Sequence, residues 1–362
     1  MAPVAHPMRQ PWCPRPTLPD VQMPVHPTAD DRLRALPKTH LHAHLDGSYP
    51  VDAVRALATR RGLPFHRPER FADVWAFFDA YGTVPALVAT HEDLAALCRA
   101  LVHAEAAEGV RYLEPAVEPQ LYAERLGGNE QVLRTVLAAF AEAAADAAAA
   151  GTPVEVGADL TLNTDADADL ADELGALAAR FAGSGVTALG TACFDEDGDL
   201  APFVGAARAA RAAGLPVVSH AGQTGGPDRV TAVLDVLDAS RISHGFRAVE
   251  DARVTDRLAA EGIVCDVCPV SNVRLGVVAD LASHPAPVLV ERGVPVTLNA
   301  DDPLWFGATV SDQYAIARTT WGFDDQALAD LARTGTRATG MSADTRDRFD
   351  RELTAWLTGG RA

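Results

Sequence analysis

Residues 38–48 read KTHLHAHLDGS. The apolar and β-branched residues around Leu41 predict a strand, and His42 and His44 stand two apart on it. At strand spacing both side chains leave the same face, where two imidazoles are able to share one ion. Taken alone the pair is ambiguous, because hydrogen-bonded core histidines give the same pattern.

Outward from this stretch the same kind of short run recurs: VRYLEPAV (110–117), PVEVGADL (153–160), VTALGTA (186–192), LPVVSH (215–220), RISH (241–244), GIVCDVC (262–268) and VPVTLNA (294–300). Helix-forming stretches lie between them, among them NEQVLRTVLAAFAEAAADAAAA (129–150), rich in alanine, and PDRVTAVLDVLDAS (227–240). Eight strands alternating with helices predict an α/β chain folded as a (β/α)8 TIM barrel. In such a barrel the C-terminal strand ends converge on one mouth. His220, His244 and the pair Asp301 and Asp302 all fall at such ends, so they are expected to meet His42 and His44 there. A mixed set of imidazole and carboxylate donors suits zinc.

One connection breaks the rhythm. From Asp46 to Gly109 the chain is far longer than an ordinary βα unit and includes RFADVWAFFDAYG (70–82). A helical insertion after the first strand is expected to lie over the mouth, where Trp75, Phe77 and Phe78 either wall a ligand pocket or pack the insertion onto the barrel. Residues 1–36 are proline-rich and aperiodic, the composition of a poorly ordered arm; the hydrolase barrel is assigned to 37–362.

Bulk properties narrow the function. A formal net charge of -18 repels a phosphate backbone, which excludes a nucleic-acid partner. No segment reaches the roughly 18 apolar residues of a membrane span, and the start of the chain lacks a signal-peptide apolar core, so no membrane association and a cytoplasmic location are expected. Five unevenly spread cysteines do not form a disulfide framework and are read as reduced thiols. A small-molecule ligand remains, and nothing identifies a protein partner.

Four segments, LHAHLDGS (41–48), SHAGQTGGPDRV (219–230), RISHGFR (241–247) and TLNADDP (297–303), together resemble in order and spacing the landmark motifs of the adenosine/AMP deaminase family, within the metal-dependent amidohydrolase superfamily. The likeness spans about residues 37–350 and takes in CDVCPVSN (265–272) and DQYAIARTTWGF (312–323). It implies a (β/α)8 barrel with one zinc ion per chain bound by His42, His44, His220 and Asp301. It also implies that Asp302 orients the attacking water, that His244 helps deprotonate it and stabilises the charge that develops, and that Asp46 and Gly47 contact the sugar end of the substrate. Zinc lowers the pKa of bound water towards neutrality, which makes a zinc-bound hydroxide available at pH 7.

Two departures stand out. Gln223 replaces a glutamate that in the family shares a proton with a purine ring nitrogen; an amide hydrogen-bonds such a nitrogen but supplies no proton. General acid–base groups contribute roughly 10²- to 10⁴-fold to rate, so an unchanged adenosine deaminase carrying this amide is expected to be crippled. The loop GTACFDEDGD (190–199) also differs from the family's glycine-rich GxDLAGxE, with Phe194 and Asp195 where backbone approaches the purine. The expected function is therefore a zinc-dependent hydrolase or deaminase of a purine nucleoside-like or related N-heterocyclic substrate other than plain adenosine. Two alternatives stay open: a deaminase of adenosine or a 5′-modified adenosine such as aminodeoxyfutalosine, and a catalytically silent, zinc-containing nucleoside-binding protein.

Other signals are set aside. Cys265 and Cys268 have the spacing of half a zinc ribbon but no second pair, so they are read as structural. The acidic run from Asp165 has Leu170 and Ala176 where a calcium loop needs glycine and glutamate. His91, His103 and His284 are read as surface or packing residues. Gly225 and Gly226 precede a helix without the lysine of a phosphate loop.

Overall fold

The computed structural model describes residues 26–71, 74–192 and 198–359. Its sheet is parallel throughout and follows the chain: β1 (Lys38–His44), β2 (Val110–Val117), β3 (Ala158–Asn163), β4 (Val186–Ala192), β5 (Val217–Ala221), β6 (Arg241–His244), β7 (Val264–Val267) and β8 (Val296–Leu298). The two-residue strand Glu155–Val156 pairs with β2 beside it. Val, Leu and Ala fill the sheet and the inner faces of the surrounding helices, as strands covered on both sides require. The (β/α)8 fold is as expected. The third strand runs three residues beyond the expected end at Leu160, since Leu162 is also buried and Asn163 pairs with Ala192.

Closure comes from β1 and the residues just past β8. Ala43 bridges Asp301, with the Asp301 N–H donating to His42 O (3.0 Å) and the His44 N–H donating to Asp301 O (3.0 Å). Beneath the mouth lies a buried charged network: Arg241 donates to Glu114 and holds Asp266 (Nε–Oδ2 2.8 Å). Thr297 donates to Asp266 (2.5 Å), and Asn299 donates to Thr297 (2.8 Å). Asn299 Oδ1 accepts the amides of Leu41 (2.8 Å) and His42 (3.1 Å), so the interior network grips the backbone that carries the histidines.

The long connection forms helices Val51–Arg61, Val74–Tyr81 and Thr83–Leu87 before the barrel helix His91–Ala107. Residues 30–36, expected to belong to the arm, are packed onto the barrel. Asp30 caps a helix at Asp31–Arg34, Leu33 and Leu36 are buried, and Trp356 Nε1 donates to Arg32 O (2.7 Å). Two leucines three apart are enough to dock that turn, a signal that the surrounding prolines mask. No helix is long and apolar enough to cross a membrane among the described residues.

Candidate metal centre and active site

The closure of the barrel and the site are one piece of backbone. Asp301 sits in the left-handed region (φ +62°), held there by its bridge to Ala43 and by Ser48 Oγ donating to its carbonyl (3.3 Å). The preceding Ala300 N–H donates to His40 Nε2 (3.1 Å), while His40 Nδ1 faces Glu105 (2.9 Å). A strained aspartate so constrained is typical of a functional position.

Around it the nitrogen donors converge. His42 Nε2 lies 3.0 Å and His44 Nε2 3.3 Å from Asp301 Oδ1, and His44 Nε2 lies 3.2 Å from His220 Nε2. His220 Nδ1 is 2.6 Å from the Thr191 carbonyl, an obligate acceptor, so Nδ1 carries the proton and Nε2 keeps its lone pair for the mouth. Both ring nitrogens of His42 are buried without a hydrogen-bond partner. Donors bound tetrahedrally at 2.0–2.1 Å stand roughly 3.3 Å apart, and these separations match that edge. Overlapping groups, His42–His44–His220, His44–Asp301–Asp302 and His42–His244–Cys268–Asp301, share this spot. The residues fit a divalent ion of the zinc type.

Their ionisation suits the task. Burial pushes His44 down to about 4, and burial with the neighbouring imidazoles holds His220 well below its usual value. Burial works to raise Asp301, but His42, His244 and His44 outweigh it and hold the carboxyl well below the usual range. Neutral imidazoles beside an ionised carboxylate are the ligand forms. Asp302 is pushed up, first by burial and then by the charge of Asp301.

Gly47 shows how tightly the next layer is built, because a Cβ there would stand 1.7 Å from Asp302 Oδ1. Only glycine lets that carboxylate sit against the turn after β1. Asp46 is fully buried, accepts from Tyr122 Oη, and is pushed up by burial and by Glu118. Glu118, just beyond β2, is itself raised to about 7 by burial. It was not singled out from sequence, although an acid at a C-terminal strand end carries the signal that marked His220 and His244.

Helix Val74–Tyr81 lies at the mouth, with Tyr81 edge-on to His44 (6.3 Å between centroids). Phe77 is buried and stacks on Phe306 (5.2 Å), a packing role; Trp75 and Phe78 are half-buried, 6.0 Å apart. His244 also takes a left-handed conformation (φ +70°), followed by Gly245 (φ +71°). Its ring lies 4.5 Å from that of His42, with Nε2 3.9 Å from Asp301 Oδ2. Ser271 Oγ donates to the same oxygen at 2.5 Å.

Gln223 is half-buried on the loop leaving β5, a loop fixed by Arg247, whose N–H donates to Gly222 O (3.1 Å) and whose guanidinium donates to Thr224 O. Phe194 and Asp195 lie outside the described residues. Cys265 and Cys268 are buried free thiols; burial raises both, which makes Cys268 a poor competitor for the ion. His91 and His103 are exposed, whereas His284 is 3% exposed and polar-bonded, so the surface reading fails for it.

The family model described as adenosine deaminase matches residues 37–356. An adenine deaminase of Streptomyces coelicolor is 34% identical over 343 residues, covering 90% of this chain and 97% of its own. An aminodeoxyfutalosine deaminase of the same organism is 33% identical, covering 94% of this chain and 89% of its own. The crystal structure of an adenine deaminase from Arthrobacter aurescens superposes with a TM-score of 0.80 at 30% identity, covering 89% of this chain and 99% of that one.

Proposed function

The chain belongs to the adenosine deaminase family and is a hydrolytic deaminase of a purine-like substrate, and from that premise we propose that it removes the amino group of a free purine base or closely related N-heterocycle, with zinc held by His42, His44, His220 and Asp301. The observation that carries this reading is the convergence of the donors, with Asp301 Oδ1 3.0 Å from His42 Nε2 and 3.3 Å from His44 Nε2, and His44 Nε2 3.2 Å from His220 Nε2. Zinc bound there supplies the Lewis acidity that brings the pKa of water towards neutrality.

The reaction adds water oxygen to the ring carbon bearing the amino group and breaks the carbon–nitrogen bond. One water proton leaves with ammonia; the other ends on the ring nitrogen of a neutral ring, or is released to solvent where that nitrogen already carries a proton. Asp302, seated against Gly47, would orient the water and take its first proton, and His244 would meet the charge that develops on the oxygen. Gln223 hydrogen-bonds the ring without protonating it, which favours a ring whose nitrogen is already protonated or whose carbon is electron-poor enough to need no acid.

A second reading, a 5′-modified adenosine, is supported by Asp46. Its Oδ2 is buried without a hydrogen-bond partner, an acceptor suited to a sugar hydroxyl, and one relative is named an aminodeoxyfutalosine deaminase. Ammonia release from the zinc-loaded protein decides between them, measured on adenine, adenosine, aminodeoxyfutalosine, guanine, cytosine and pterins with His244→Ala as the blank. Turnover of a free base is the expected result. Turnover confined to nucleosides selects the second reading, and silence on every ring overturns both.

A further inference from the structure

His284 packs between Trp321 (5.7 Å, stacked) and Phe246 (5.4 Å) on the segment before helix Ala286–Glu291. The Ala286 backbone amide lies 3.1 Å from His284 Nδ1. A peptide N–H only donates, so Nδ1 accepts, and the proton of this neutral ring is on Nε2. Burial holds His284 down at about 3, in agreement with the neutral form.

From that fixed point the next bonds have one solution. His284 Nε2 is 3.1 Å from Asn272 Oδ1 and donates to it. The amide of Asn272 is thereby oriented, with Nδ2 turned to His244 Nδ1 at 3.3 Å. An amide nitrogen only donates, so His244 Nδ1 accepts and the proton of neutral His244 sits on Nε2, on the side of Asp301 (3.9 Å). Asn272 is fully buried, so bulk water does not compete for these bonds.

The geometry points to Asn272 and His284 as positioning residues that lock His244 in the Nε2–H tautomer, so that neutral His244 meets the reacting oxygen as a hydrogen-bond donor and proton acceptance falls to Asp302. The inference rests on the deaminase reading for its consequence in catalysis. It departs from the expectation that His244 helps deprotonate the water, because in this tautomer the lone pair a base needs is turned to Asn272. The balance is unchanged: the water proton passes to Asp302 and then to the departing ammonia, while His244 keeps its own.

The test is the nitrogen-15 spectrum of the full, zinc-loaded chain labelled at histidine, with His244 assigned by its loss in His244→Gln. The expected spectrum has a protonated Nε2 and a bare Nδ1. Asn272→Asp presents only acceptors to both rings; it is expected to move the His244 proton to Nδ1 and to lower kcat on adenine about tenfold or more, with KM unchanged. His284→Gln keeps a donor for Asn272 and retains the wild-type spectrum and rate. If Asn272→Asp does not fold, His284→Phe keeps the stacking without the N–H, and a mixture of the two tautomers is expected. A bare Nε2 in the wild type, or a wild-type tautomer in either disrupting variant, overturns the proposal. The spectrum is read without substrate, so a failure of the deaminase reading is seen separately, as absence of ammonia from the wild type.

Discussion

The two walls of the barrel mouth are built to different standards. On the metal-facing wall His42, His220 and Asp301 are buried, His44 nearly so, and the bonds around them fix their orientation: His220 by the Thr191 carbonyl, Asp301 by the bridge to Ala43 and by Ser271. On the wall proposed to face the ring, Gln223 is half-buried on the loop that Arg247 braces, and an amide stands where the resemblance led one to expect an acid. Under the proposed function, water activation belongs to the first wall and the choice of substrate to the second.

Removing the metal-facing wall is expected to have the largest effect. Asp301→Ala deletes a proposed ligand and the carboxylate that His42, His44 and His244 face, so zinc content and ammonia release should fall together, the rate by about 10³-fold or more. Metal analysis beside the activity assay checks it; a variant that keeps its rate breaks the ligand set. Changing the other wall should do the opposite. Gln223→Glu restores a proton donor and is expected to raise turnover of adenosine, roughly 10²-fold if this residue alone excludes it, with zinc content unchanged. No gain would move the cause to the loop around Phe194.

Gly47→Ala probes the seam between the walls. The new methyl overlaps the Asp302 carboxylate at 1.7 Å and must displace it, and a shift of about 1 Å in such a group costs on the order of 10²-fold in kcat. The loss should appear in kcat with zinc retained. A variant at wild-type rate would show that Asp302 does not need its seat.

How much of this was legible follows the same division. The strands carry their own signal in β-branched and apolar residues, so spacing alone led to the expectation that His42, His44, His220, His244, Asp301 and Asp302 meet at one mouth, where the structure brings them together, whereas the choice of His42, His44, His220 and Asp301 as ligands came from the family resemblance. The bonds of Ser271, Asn272 and His284 join residues brought together only in three dimensions; no periodicity encodes that an amide at 286 fixes a ring at 284. Glu118 was overlooked because a lone acid at a strand end is unremarkable until Asp46 is seen beside it. The turn at Asp31–Arg34 was missed because two leucines were outweighed by the prolines around them.

Ser271→Ala is the finest way to separate the walls. Its hydroxyl touches no proposed substrate group; it donates to Asp301 Oδ2 at 2.5 Å, the oxygen that His244 Nε2 also approaches, while Oδ1 faces His42 and His44. Without that bond the carboxylate keeps its backbone seat but gains rotation about its last torsion. The cost should therefore fall on metal affinity, at about tenfold, the lower end of what outer partners of metal ligands contribute. Competition against a zinc chelator measures it. At saturating zinc the rate should recover, because the ligand itself is intact. The same titration on Gln223→Glu should show no change in affinity, since that side chain belongs to the ring-facing wall. If both variants weaken zinc equally, the walls are one coupled unit and substrate choice cannot be tuned without disturbing the metal.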